Sequence, residues 1–222
     1  MDLLFTVALQ ESLQRYQELL EEVDVWFSRC QQKHPTAIRC AHGCSGCCRG
    51  LFDISLLDAA LLQQGVRQLP AQEQATILAR CRQRAAALEQ LWPDFAPPYQ
   101  LNLLDEALWQ EMPEDDLTPC PLLRKDGCCT VYPFRPMTCR LHGLPNIDSD
   151  GTLFSDNICS LNRDGSLPLD DPSLRHPFND LFSREFALLR PFNKTVRGAN
   201  DCEFDTFIPT ALLIDFRDLF QS

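Results

Sequence analysis

Basic residues are scarce in this chain: Lys and Arg number 20 against 31 Asp and Glu, for a formal charge of −11. A nucleic-acid binder normally shows the reverse balance, so zinc-knuckle recognition of DNA or RNA is disfavoured. Long apolar runs are lacking as well. No stretch approaches the ~18 residues that a membrane span needs, so no membrane partner is expected. The opening segment, Met1 to Val7, holds an Asp and has neither a basic lead nor a small-residue cleavage site, which argues against a secretory signal peptide. Internal repeats, low-complexity tracts and an interdomain linker are also missing. With 45% hydrophobic and 23% charged residues, we expect one globular domain spanning 1–222.

Against these absences stand twelve cysteines. Without a secretory signal they point to a reducing compartment, consistent with the cytoplasm, where they serve as ligands, reactive thiols or buried apolar side chains. Four of them crowd one short arm: Cys40, Ala41, His42, Gly43, Cys44, Ser45, Gly46, Cys47, Cys48. Sulfurs separated by small residues and glycine have metal-ligand spacing rather than core spacing. A second arm holds Cys120, Cys128, Cys129 and Cys139, and Cys159 follows. Neighbouring side chains on a strand face opposite ways, so Cys128 and Cys129 should not both reach one metal, and Cys129 is the favoured ligand.

The candidate ligands are therefore Cys40, Cys44, Cys47, Cys48, Cys120, Cys129, Cys139 and Cys159, for zinc or for iron, an iron–sulfur cluster included. Two four-coordinate sites and one bridged cluster both fit eight sulfurs. So many thiolates need donors or cations around them, and Arg39, Arg49, Arg124, Arg135 and Arg140 lie beside the cysteines. His42 and His142 read as donors near the site, His34 and His176 as structural. Cys30 and Cys81 continue apolar helical stripes and read as core thiols. Cys202 has no partner by spacing.

Periodicity places a long amphipathic helix over 8–33, with Leu9, Leu13, Tyr16, Leu20, Val23, Phe27 and Cys30 on one face. Ser55, with Asp58 three residues on, resembles an N-cap for a helix that Gly65 stops. A further helix spans 71–92 on the seam Ile77, Cys81, Arg84, Leu88 and Leu91, and a short one is placed over 101–111 before an acidic turn at 114–116. Asp126 and Gly127 signal a hairpin between strands 122–124 and 129–132. A short helix falls within 133–141 and a polar loop over 146–156. Flanking helices complete the chain over 172–220, in pieces at 172–189 and 209–220. The expected fold is mainly α with a small irregular β-hairpin, its helices packed around a cysteine-ligated metal site. The metal-chelating region covers 39–159, with a helical insert over 55–111.

The motif C-x3-C-x2-C-C at Cys40 to Cys48, followed by Cys120-Pro-Leu-Leu, Cys129-Thr-Val-Tyr and Arg135-Pro-Met-Thr-Cys139-Arg140, resembles the YkgJ-type cysteine-cluster proteins. The resemblance covers Arg39 to Cys159 and departs from the pattern at the extra Cys128. It implies a bacterial protein that chelates zinc or iron through these cysteines. One branch of that family is the flagellin lysine methylase, which is similar through the cysteine region. The reading favours a binding protein without catalytic residues, in metal handling, redox sensing or scaffold stabilisation. The alternative is an S-adenosylmethionine-dependent enzyme, either a protein methyltransferase by that analogy or a radical enzyme, since Cys40, Cys44 and Cys47 match the radical-enzyme spacing. Neither a barrel-like strand–helix alternation nor a Gly-rich cofactor loop after a strand supports the alternative.

Overall fold

A computed structural model describes residues 7–41, 43–105, 107, 118–156, 158–162, 167–198 and 203–221. The first helix, α1 (Val7–Lys33), forms where the stripe predicted it. Leu9, Leu13, Tyr16, Leu20, Val23, Trp26 and Cys30 are all buried along one face. Trp26 is anchored as well as buried, its Nε1 donating to the Leu174 carbonyl at 3.0 Å.

After the first cysteine arm the chain becomes extended at β1 (Asp53–Ser55) and enters α2 (Leu56–Arg67). Ser55 caps α2 as expected, its Oγ accepting from the Asp58 N–H at 3.3 Å. Gly65, expected to end the helix, instead lies inside it. A Cβ there would sit 2.6 Å from Phe134 Cγ, so the glycine admits an aromatic ring against the helix backbone rather than breaking the helix. The next helix, α3 (Ala71–Leu91), buries Ile77, Cys81, Ala85 and Leu88, while Leu91 turns to solvent. Of the short helix expected over 101–111, a 3₁₀ turn at Leu101–Leu103 is seen, and the acidic run at 114–116 lies outside the described residues.

The expected hairpin is reduced to its turn. Leu123 and Cys129 form an isolated antiparallel bridge, flanked by Arg124 N–H to Cys128 O and Thr130 N–H to Leu122 O, each 2.9 Å. Extended structure cannot grow on either side, because the Leu123 N–H turns back to the Cys120 carbonyl and Pro133 starts a 3₁₀ turn at Tyr132–Phe134. Beyond this turn α4 (Met137–Leu141) carries Cys139. The predicted polar loop over 146–156 is a second small sheet: β2 (Asn146–Ile147) pairs antiparallel with β3 (Leu153–Ser155), and Gly151 takes a φ of +95° in the connection.

Pro172–Leu174 is a 3₁₀ turn, and α5 (Phe178–Arg197) starts only after Pro177. The chain then pairs β4 (Asp205–Phe207) with β1, Ile54 opposite Thr206. In place of a continuous helix over 209–220 stand α6 (Ile208–Ala211) and a 3₁₀ turn at Asp218–Gln221. Asp215 accounts for the break: its carboxylate takes the Arg217 N–H at 3.0 Å, a local bond that competes with helix.

The fold is thus mainly helical with two small antiparallel sheets. α1 packs against α5 and α4, and α3 packs against α6. One large apolar cluster unites these helices, with Cys30 and Cys81 inside it as expected. A smaller one gathers Trp92, Phe95, Tyr99 and Phe207. Cys40, Cys120, Cys129 and Cys139 pack on the edge of the large core, so the helices enclose apolar side chains and carry the sulfurs at the rim. No helix among the described residues is long and apolar enough to cross a membrane.

Candidate metal centre

The two cysteine arms meet through their backbones. Cys120 N–H donates to the Cys48 carbonyl at 2.9 Å, and Arg49 and Pro119 form an antiparallel bridge. Further out, Gly43 and Gly127 face each other, both at a φ of +82°, and a Cβ on Gly127 would come within 2.5 Å of the Gly43 carbonyl oxygen. Glycine is needed twice at this junction, for the left-handed backbone and for the close approach. Residues more than seventy positions apart are thereby held side by side.

Cys159 is brought back to the first arm. Its N–H donates to the Gly143 carbonyl at 3.3 Å, and Gly143 is bridged to Ile158. A Cβ at Gly143 would touch Cys40 Sγ at 3.4 Å and Cys159 Cβ at 3.7 Å, which sets these two cysteines against the same glycine. Asn162, missed in the sequence, ties the corner together. It is buried, its Oδ1 accepts the Arg39 N–H at 2.8 Å, and its Nδ2 donates to the Gly143 carbonyl at 2.9 Å and to Cys40 Sγ at 3.5 Å. An asparagine has no spacing signature. Only its place three residues after Cys159 offered a hint.

The thiol electrostatics follow this arrangement. Burial raises Cys40, the Asn162 amide relieves it, and charge on Cys159, Cys44 or Cys47 raises it further. Burial raises Cys139 strongly, and charge on Cys120, Cys129, Asp58 and Cys47 adds to the effect. Cys120 is pushed by burial up to about 11, with Cys129 contributing and the Leu122 and Leu123 N–H groups opposing. Cys47 is hydrogen-bonded to Cys48; that bond, then burial, lifts its thiol far above the usual range, while Arg135 pulls the other way. Desolvation and mutual repulsion thus disfavour thiolates here unless positive charge is supplied.

Of the eight predicted ligands, Cys44, Cys47 and Cys159 act on Cys40 at one end, and Cys120, Cys129 and Cys47 act on Cys139 at the other. Cys48 is placed between them by its bonds to Cys47 and to the Cys120 N–H. Cys129 is the member of the adjacent pair that acts on Cys139 and Cys120. Cys128 takes part in the turn, its N–H donating to Asp126 Oδ1 at 3.0 Å. Every described cysteine is a free thiol, and those of the two arms are half-buried. Among the described residues no group of three His, Cys, Asp or Glu side chains is drawn close enough to hold a metal ion in this arrangement. What the structure does gather is free, half-buried sulfurs from short-spaced pairs, four of them packed on the rim of the core, and thiolate is the donor type that zinc and iron take.

The predicted arginines divide. Arg135 acts on Cys47 and on Cys129 while paired to Asp24 Oδ1 at 2.7 Å. Arg124 also favours a Cys129 thiolate but is exposed and ion-paired with Asp126. Arg140 serves the fold: it is buried, donates to the Arg135 and Pro133 carbonyls at 3.0 and 2.8 Å, and ion-pairs with Asp24. Arg39 contributes its backbone N–H, and Arg49 the bridge to Pro119. His142 is half-buried with its ring edge-on to Phe52, and burial lowers its pKa. His42 and Cys202 lie outside the described residues. His34 and His176 are structural, His34 through a 2.8 Å contact with Ser173 Oγ and His176 through packing on Trp26 and Phe178. No family model, no curated protein and no solved structure matches the chain.

Proposed function

We propose that this chain is a metal-binding protein that chelates zinc or iron through Cys40, Cys44, Cys47, Cys48, Cys120, Cys129, Cys139 and Cys159. Iron would be held as ions or as an iron–sulfur cluster, and the role would be metal handling, redox sensing or stabilisation of the scaffold. The observation that carries this reading is the docking of the two arms, Cys120 N–H on Cys48 O, with Cys159 returned to the first arm through Gly143, so that free sulfurs from three stretches lie near one another. Nine unliganded thiols so close together would be an oxidation hazard. A bound Zn²⁺ or iron supplies the positive charge that holds buried sulfurs as thiolates. The chain's own contribution is the Asn162 donor to Cys40 and the Arg135 charge facing Cys47 and Cys129. Free thiols suit a reducing compartment, which supports a cytoplasmic reading. The resemblance to YkgJ-type cysteine-cluster proteins points the same way.

The test is metal and acid-labile sulfide content, with an absorbance spectrum, on protein purified without oxygen. Zinc in a colourless protein, or iron with or without sulfide, is the expected outcome. Metal at background level, with all thiols titrating freely under native conditions, overturns the proposal.

A further inference from the structure

We propose that Cys40 and Cys159 are a peroxide-reactive pair, which hydrogen peroxide joins in a reversible disulfide that withdraws both sulfurs from metal binding. The withdrawal rests on the metal-binding reading; the pairing itself does not. These cysteines stand more than a hundred residues apart in the sequence and meet at Gly143. The position a Cβ would take on Gly143 is 3.4 Å from Cys40 Sγ and 3.7 Å from Cys159 Cβ, so the missing side chain leaves open a space that both cysteines border. Backbone on each side is held. The Gly143 carbonyl accepts the Cys159 N–H at 3.3 Å, and the Gln31 amide donates to the Cys40 carbonyl. Asn162 touches both partners, its N–H donating to the Cys159 carbonyl at 2.8 Å and its Nδ2 to Cys40 Sγ at 3.5 Å. A disulfide needs Cβ atoms roughly 3.5–4.5 Å apart, and two side chains bordering one methyl-sized gap reach that by rotation about χ1 with a small backbone shift.

The chemistry balances with the peroxide as the only oxidant. Cys40, whose sulfur the Asn162 amide holds beside the gap, attacks one peroxide oxygen; the O–O bond breaks, and the departing hydroxide takes the thiol proton. A sulfenic acid and water result. The Cys159 sulfur then attacks the Cys40 sulfur, the S–O bond breaks, and the second hydroxide leaves with the second thiol proton as water. Both thiols are oxidised to one disulfide while the peroxide is reduced to water, and a dithiol reverses the change by exchange. Cys40 and Cys159 are free and half-buried, open to so small an oxidant.

The probe is an equimolar amount of hydrogen peroxide added to the full chain, reduced and stripped of metal, then quenched with N-ethylmaleimide and mapped by non-reducing proteolysis and mass spectrometry. The expected result is one dominant cross-linked peptide pair holding Cys40 and Cys159, with both thiols restored by dithiothreitol. The same treatment in urea should lose this cross-link, because closing so long a loop is disfavoured against near neighbours such as Cys44 and Cys47 once the fold no longer joins its ends. Cys44→Ser should cross-link as fully as the wild type, and Cys159→Ser should leave Cys40 as a sulfenic acid that dimedone labels. Disulfides spread over the other cysteines, or oxidation past the sulfenic stage with Cys40 and Cys159 unlinked, overturn the pair and leave the metal-binding reading standing. The cross-link in a protein that purifies with metal at background level keeps the pair and removes that reading. Metal-loaded protein that forms the cross-link without releasing metal overturns the withdrawal of the two sulfurs.

Discussion

At the scale of single residues, the polar group that decides most lies behind the cysteines. The Tyr16 hydroxyl, fully buried on α1, donates to Asp58 Oδ1 at 2.8 Å and lies 3.0 Å from Glu185 Oε1 on α5. Asp58 Oδ1 also accepts the Met137 N–H at 3.0 Å, at the start of the helix that carries Cys139. One hydroxyl hydrogen cannot satisfy two carboxylates, so the second contact needs a proton on a carboxyl group. Burial pushes Asp58 up to about 6, and burial aided by charge on Asp58 pushes Glu185 up to about 7. The folded state therefore holds these protons more tightly than the unfolded chain. Their stabilising contribution is full below about pH 4 and is lost as pH rises toward 7, by an amount on the order of 3 kcal/mol for each group. Burial lowers His142 and His176, which act in the opposite direction near pH 6, so the comparison that isolates the carboxyl groups is wild type against Glu185→Gln. The variant keeps a donor for Tyr16 at every pH. Urea midpoints measured from pH 4.5 to 7.5 should fall with pH more steeply in the wild type than in Glu185→Gln; parallel profiles would refute the shared proton.

At the scale of elements, Gly65 shows how a local signal misleads. In an open helix Gly→Ala stabilises by roughly 0.5–1 kcal/mol. Here the added methyl would meet Phe134 at Cγ, Cδ2 and Cβ, at 2.6, 2.7 and 2.8 Å, so the clash involves the root of the side chain and the whole 132–134 turn must shift. Gly65→Ala should therefore destabilise by roughly 1–3 kcal/mol, and Phe134→Ala in the same chain should cancel most of that difference. A raised urea midpoint in the single variant would contradict the packing argument. Signals confined to one element were legible in the sequence: the stripe of α1, the Ser55 cap, the Asp126-Gly127 turn and the short-spaced sulfurs. What failed needed a distant partner. Phe134 turns a helix stop into a helix contact, residues 205–207 supply an unforeseen strand beside the extended 53–55, and Arg175 and Leu153 border a sheet where a loop was expected. The site divides in the same way. The clustering of the cysteines was readable, whereas Asn162 and the Tyr16 proton network were not, since Tyr16 counts simply as an apolar position in the stripe.

For the whole molecule the question is what holds the arms in place. Among the described residues the arms are joined by the Cys120–Cys48 backbone bond, within the Arg49–Pro119 bridge, and each such hydrogen bond is worth only about 1 kcal/mol net. The helices are differently secured. α1, α2 and α5 share the large apolar core, and Trp26, Tyr16 and Phe178 lie fully inside it. A structural metal contributes roughly 10–16 kcal/mol in small modules, as much as the ~5–15 kcal/mol of an ordinary domain. On the proposed metal-binding reading, removing it should cost the arms far more than their few backbone bonds return. Raised thiol pKa values add to this, because the sulfurs would be protonated and mutually indifferent near neutral pH. Amide hydrogen exchange on metal-loaded and chelator-treated protein, kept reduced, separates the two supports. Residues 40–49 and 119–130 should lose protection by at least ~10-fold, and the Trp26 region of α1 should keep most of its own. Equal protection of the arms in both forms would mean that the backbone junction suffices and that the metal is not what holds the sulfurs together.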